Sequence, residues 1–214
     1  ANILVAAHSD GDGEGITTTD ISGSGGYDEG DVTDDFGGTS SATPLAAGVI
    51  ALILEANENL TWRDVQNVLV HSSRIVDSSD NSWEPNGAGL LVSHKYGFGS
   101  VDAGAAVSLA ENWTSSGSEV NASFGPFLPN MGIDNGGTTW TEFNLSVPLD
   151  IQLESVDVIV DISHSYRGDL EIILESPMGH QSKLAEQHDD SSDDYSNWMF
   201  NTVQHWDESS LGVW

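Results

Sequence analysis

Cysteine is absent from these 214 residues, so neither a disulfide framework nor a thiol nucleophile is available. Positive charge is nearly as scarce. Arg63, Arg74, Lys95, Arg167 and Lys183 stand against 34 acidic residues, for a formal net charge of −29. A chain this acidic has no basic footprint for phosphates, which excludes nucleic acid as a partner. No run reaches the roughly 18 consecutive apolar residues of a membrane span, the longest candidate being the stretch after Ser40. Nor does the N-terminus show the basic region, apolar run and cleavage site of a signal peptide. The acidity admits three readings: a solvated surface suited to salty water, calcium sites, and attraction for a basic substrate. Because the carboxylates are spread along the whole chain, the first reading is favoured.

What the sequence does have is one unusual stretch, Gly37-Gly38-Thr39-Ser40-Ser41-Ala42-Thr43-Pro44-Leu45-Ala46-Ala47-Gly48. The paired glycines permit a sharp turn out of the acidic loop before them. Thr39 is then placed to cap a helix in which Ala46, Ala47, Val49, Ile50, Ala51, Leu52, Ile53 and Leu54 are apolar nearly all round, the pattern of a buried helix. Ser40 falls at the positive end of that helix, with its own N–H facing any developing negative charge. Pro44 lies too deep for the favoured first position and removes the helical bond to the Ser40 carbonyl.

Around this stretch the chain reads as two halves. Residues 3–7 form an apolar run predicted as a buried strand, followed by the acidic turn Asp10-Gly11-Asp12-Gly13-Glu14, which is spaced like a calcium loop but does not meet the EF-hand pattern. Residues 15–20 read as a second strand and 22–38 as a loop. Thr61-Trp62-Arg63-Asp64 predicts a capping box at the head of a surface helix carrying Trp62, Val65, Val68 and Leu69, and Asp102 is placed to cap a last helix through Ala110. His71 at the end of the first of these helices, and His94, read as structural. From residue 114 the helical periodicity ends. Val156, Val158, Val160 and Ile162 then alternate with Asp157, Ile159, Asp161 and Ser163, residues 170–176 and 181–185 follow as strands about the turn Ser176-Pro177-Met178-Gly179, and Arg167-Gly168-Asp169 is predicted as a tight turn with a positive φ at Gly168. Short strands with such turns imply an antiparallel sandwich.

Gly38-Thr39-Ser40-Ser41-Ala42-Thr43-Pro44 fits the motif G-T-S-x-[SA]-x-P, and with Leu60-Thr61-Trp62-Arg63-Asp64-Val65 and Tyr96-Gly97-Phe98-Gly99-Ser100-Val101-Asp102-Ala103-Gly104 it resembles the subtilisin-like serine proteases of the kexin/furin type. Ile162-Ser163-His164-Ser165-Tyr166-Arg167-Gly168-Asp169-Leu170-Glu171-Ile172, Glu175-Ser176-Pro177-Met178-Gly179 and Asn197-Trp198-Met199-Phe200 resemble the P domain of the same family. The resemblance implies an α/β segment, the C-terminal part of a subtilisin-like parallel-sheet domain over residues 1–113. A linker at 114–119 and an all-β, jelly-roll-like P domain over 120–214, truncated at its C-terminus, would follow.

By the same resemblance Ser40 is the nucleophile of an acyl-enzyme mechanism, with Thr39 and Gly38 supporting the turn and the oxyanion site. It further implies a polypeptide substrate with basic residues before the cleaved bond, calcium as cofactor, a catalytic domain packed on the P domain, and secretion or a place in the cell envelope. The family's order is Asp, His, Ser, so its aspartate, histidine and oxyanion asparagine are expected upstream of Ala1. The competing reading is a non-catalytic, P-domain-like module that binds protein or calcium.

Overall fold

The computed structural model describes residues 2–133 and 139–214, and the chain divides into two compact units. The first combines Ile3–Trp83 with Val92–Gly117. Its hairpin pairs β1 (Ile16–Gly23) antiparallel with β2 (Gly30–Phe36), so half of the loop predicted over 22–38 is strand. The carboxylates that suggest a turn lie on exposed positions of β2, while Thr33 between them is buried. Residues 3–7 do not form the predicted strand. They run beside residues 98–101 through Ala6 N–H to the Gly99 carbonyl (2.8 Å), Phe98 N–H to the Leu4 carbonyl (2.9 Å) and Val101 N–H to the Ala6 carbonyl (2.9 Å), and Ala6–Ser100 is the one parallel bridge among the described residues.

Three helices build the core of this unit. α1 (Thr39–Ala56), α2 (Trp62–Ser72) and α3 (Ala103–Ala110) bring Val49, Ile53, Val65, Val68, Leu69, Ala106 and Ala110 into one cluster. Alanines at 106 and 110, both fully buried, let α3 lie close against α1. The all-round burial predicted for α1 is not observed: Ser41, Val49 and Ile53 are its buried residues, and Leu45, Leu52 and Leu54 are exposed, because α2 and α3 cover one face. With 18 residues and a mean hydropathy of 1.4, α1 matches a membrane span in length and composition. Its Val49–Ile53 face nevertheless packs as a core helix does.

Thr61 caps α2 in a complete capping box with Asp64, and Asp102 caps α3 by accepting from Ala105 N–H at 2.9 Å, both as the sequence predicts. Trp62, expected to pack, is 63% exposed. Asp64 is fully buried and accepts from Thr61 N–H (2.8 Å) and Oγ1 (2.7 Å), Trp113 Nε1 (3.1 Å), Ser115 Oγ (2.9 Å) and Ser116 N–H (2.8 Å). Burial pushes this carboxyl up, but the bonds from Ser116, Thr61 and Ser115 outweigh it and hold it well below the usual carboxylate range.

The second unit is formed mainly by Glu84–Leu91 and Ser118–Trp214. Among the described residues its strands join in antiparallel pairs: β5 (Ser146–Val147) with β10 (Gly212–Val213), β6 (Val156–Ile162) with β9 (Tyr195–Thr202), and β7 (Ile172–Glu175) with β8 (Gln181–Ala185). The short β3 (Glu84–Pro85) pairs with β4 (Leu91–Val92). In β6 the half-buried positions are Val156, Val158, Val160 and Ile162 and the exposed ones Asp157, Ile159 and Asp161, the alternation read from the sequence. The turn at 176–179 is present, with Gly179 N–H bonded to the Ser176 carbonyl at 2.8 Å. Arg167–Asp169 forms a 3-10 turn, and Gly168 is not among the glycines of positive φ. Its need for a missing side chain is spatial: a Cβ there would sit 2.6 Å from the Asp190 carbonyl oxygen.

A polar core holds this unit together. Asn86 donates to the Gln204 and Trp206 carbonyls (3.0 and 2.8 Å), Glu208 accepts from Gly87 N–H (2.9 Å), and His205 Nδ1 lies 3.2 Å from Glu208. The rings of His180 and His205 meet edge to face at 5.2 Å. Burial, and next the neighbouring His205, push the His180 pKa below its ordinary 6.5, while Glu208 and Glu84 pull the other way. The unfolded chain therefore binds a proton at His180 more readily than the folded unit does. The stability contributed by neutral His180 is complete above about pH 6.5 and is lost as pH falls below it. Denaturant midpoints are expected to drop between pH 7.5 and 5.5, and His180→Gln should flatten that drop; an unchanged pH dependence in the variant removes His180 as its source.

Candidate active site

Ser40 lies in the first turn of α1, exposed, and its N–H has no acceptor within the helix. The residue that aims it is Gly38, the N-cap, with φ 68° and ψ −168°. That conformation is essentially closed to residues with a side chain. Thr39, predicted as the cap, is instead the first helical residue, because the turn is completed by the glycine backbone and not by a threonine side chain. The Thr39 carbonyl accepts from Thr43 Oγ1 at 2.8 Å. Pro44 is carried inside the helix without ending it. Since space is open around Gly38, Gly38→Ala is a test of backbone strain alone. It is expected to lower stability by about 1–3 kcal/mol in urea titration, and no loss would show that the turn relaxes freely.

Gly38 is also gripped at both of its polar ends. Its N–H donates to Asp10 Oδ1, and its carbonyl receives Ser9 Oγ (2.6 Å), Ser41 Oγ (2.9 Å) and Ser41 N–H (3.1 Å). Ser9 Oγ and Ser41 Oγ are themselves 2.7 Å apart, and Ser9 Oγ lies 2.9 Å from Asp10 Oδ1. The Gly38 N–H, then Ser9, hold the Asp10 carboxyl below its ordinary pKa. The acidic turn that carries Asp10 is closed by reciprocal Gly11–Glu14 bonds of 2.9 and 2.8 Å. The turn follows from its glycine and carboxylate spacing, whereas the reach of Asp10 to a residue 28 positions on is signalled by no local pattern.

Three histidines have partners away from Ser40. His8 Nε2 lies 3.1 Å from Arg74, His164 Nδ1 lies 2.6 Å from the Tyr166 carbonyl, and His188 Nδ1 lies 2.8 Å from the Glu186 carbonyl. Among the described residues the Ser40 hydroxyl has no hydrogen-bond partner, and no three His, Asp or Glu side chains converge to hold a metal ion.

Ser40 thus stands exposed at the head of an apolar helix behind a turn set by Gly38, and antiparallel strand pairs follow in sequence. Residues 5–99 match the model of the subtilase family, and residues 153–214 that of the proprotein convertase P-domain. Over 191 residues, 85% of this chain, it is 42% identical to furin of Rattus norvegicus, and over 190 residues it is 42% identical to proprotein convertase subtilisin/kexin type 4 of Mus musculus. It covers 24% and 29% of those proteins, so the chain spans about a quarter of the length of these curated relatives. The serine protease of Aeromonas sobria superposes on 94% of the chain, and on 43% of its own, with a TM-score of 0.85 at 24% identity, a likeness of fold. The chain belongs to the subtilases of the kexin/furin, proprotein convertase type.

Proposed function

We propose that this chain carries the nucleophile segment and P domain of a serine endopeptidase that processes polypeptides after basic residues, with Ser40 as the nucleophile. The observation that supports it is Ser40 itself, exposed at the N-terminus of an 18-residue apolar helix behind a glycine-only turn, within the stretch that matches the subtilases. Ser40 Oγ attacks the scissile carbonyl, and its proton passes to a histidine outside this segment, as the family order Asp, His, Ser implies. The carbonyl oxygen gains charge beside the free Ser40 N–H, the amine leaves, and water hydrolyses the acyl-enzyme. Residues 1–113, 114–119 and 120–214 are taken as catalytic segment, linker and jelly-roll-like P domain. Secretion or the cell envelope is the proposed site of action, and calcium the proposed cofactor. By the family resemblance its ligands lie mostly outside this sequence, and no step is routed through it.

A fluorescent phosphonate ester with an arginine-like side chain, offered to the full-length protein, tests the reading. Label is expected on Ser40 by peptide mass spectrometry, faster than with an alanine-like probe. An unlabelled Ser40 beside a labelled control protease leaves the non-catalytic module, and equal rates with both probes remove the basic specificity.

A further inference from the structure

We infer that Asp10, with Ser9, is a positioning residue for the nucleophile: together they lock the Gly38 backbone torsions that set the direction in which Ser40 leaves the turn. The inference rests on Ser40 being the nucleophile. Torsions φ and ψ of one residue are fixed when the peptide groups on both sides of it are fixed. At Gly38 they are: the N–H side is held by Asp10 Oδ1, and the C=O side by a hydroxyl proton of the Ser9–Ser41 pair, whose oxygens lie 2.6 and 2.9 Å away, together with Ser41 N–H at 3.1 Å.

The clamp is needed because glycine has the widest choice of torsions and Gly38 occupies a region, φ 68° and ψ −168°, that nothing in its own side chain selects. It is also built in from a distance, since Asp10 and Ser9 precede Gly38 by 28 and 29 residues. Gly37 completes it, because a Cβ at that position would collide with the Asp10 carboxylate. Charge suits the place as well. The first turn of α1 contains no acidic residue of its own, and Asp10 supplies a carboxylate at the positive end of the helix.

The two hydroxyl protons of Ser9 and Ser41 suffice for the cluster. One reaches the Gly38 carbonyl and the other Asp10 or the partner hydroxyl, while Asp10 as a carboxylate accepts from Gly38 N–H throughout. Asp10 is exposed, so its bonds add little to stability. Their effect is geometric, and misplacing a reacting group by about 1 Å costs up to roughly 10²-fold in rate.

The experiment uses the full-length protein, with active sites counted by phosphonate titration so that misfolded molecules drop out. Asp10→Ala is expected to lower kcat per titrated site by about tenfold or more, with KM within about twofold and little change in melting temperature. Asp10→Asn, which keeps an oxygen for the Gly38 N–H, should recover most of the rate, and Ser9→Ala should fall between. Wild-type kcat per titrated site in Asp10→Ala overturns the inference, as does an Asp10→Asn variant no better than Asp10→Ala, and Ser9→Ala serves the same purpose where Asp10→Ala yields no folded protein. If the wild type takes no label at Ser40, the nucleophile reading fails and this inference falls with it; a labelled wild type with an unchanged Asp10→Ala loses the positioning role alone.

Discussion

Ser40→Ala in the full-length protein is expected to abolish peptide cleavage, lowering kcat by on the order of 10⁶, the loss a subtilisin suffers without its serine. The melting transition should stay where it is. Ser40 is exposed at the head of α1, its hydroxyl has no partner among the described residues, and alanine is the best helix former. The two readouts pull apart for this reason: the hydroxyl carries the covalent chemistry and contributes almost nothing to packing. Cleavage at near wild-type rate by the variant, measured on a fluorogenic peptide with a basic residue before the cleaved bond, would return the nucleophile to another side chain.

The largest loss of stability is expected at Asp64. Its two oxygens accept five hydrogen bonds, from Thr61 backbone and hydroxyl, Trp113, Ser115 and Ser116, and the side chain is fully buried. Asp64→Ala takes the acceptor from five part-buried hydrogen bonds and removes half of the capping box, so a loss of about 2–4 kcal/mol is expected in urea unfolding. Asp64→Asn should fall between, because its one remaining acceptor oxygen serves the donors of either Oδ1 or Oδ2 and turns an N–H₂ toward the rest. The carboxyl is held below the ordinary 3.8, so the stabilisation is present above that value and is lost as pH falls below it. If Asp64→Ala unfolds at the wild-type urea concentration, the hub is not holding residues 113–116 to the helices.

How far these sites were legible in advance differs from residue to residue. The Thr61-Trp62-Arg63-Asp64 pattern announces a capping box because both reciprocal bonds span three residues, and the box is present. The same Asp64 binds Trp113, Ser115 and Ser116 across 49 to 52 residues, and no periodicity encodes that. At the serine turn the motif located Ser40, yet Thr39 was given the role that Gly38 performs, since a sequence states which torsions glycine permits and not which it adopts. The cluster of Asn86, His180, His205 and Glu208 went unread because its members come from three separate segments.

The sequence by itself determined the helices, the period-two strands, the Ser176-Pro177-Met178-Gly179 turn and the position of Ser40, because each follows from torsional preference and spacing within a few residues of chain. The tertiary structure alone decided that β2 is a strand, that α1 is covered on one face, and that Asp10 grips the Gly38 backbone. Each of these depends on a partner brought near by the packing of segments distant in sequence, and the free energy of such a contact is shared between residues that no local pattern connects.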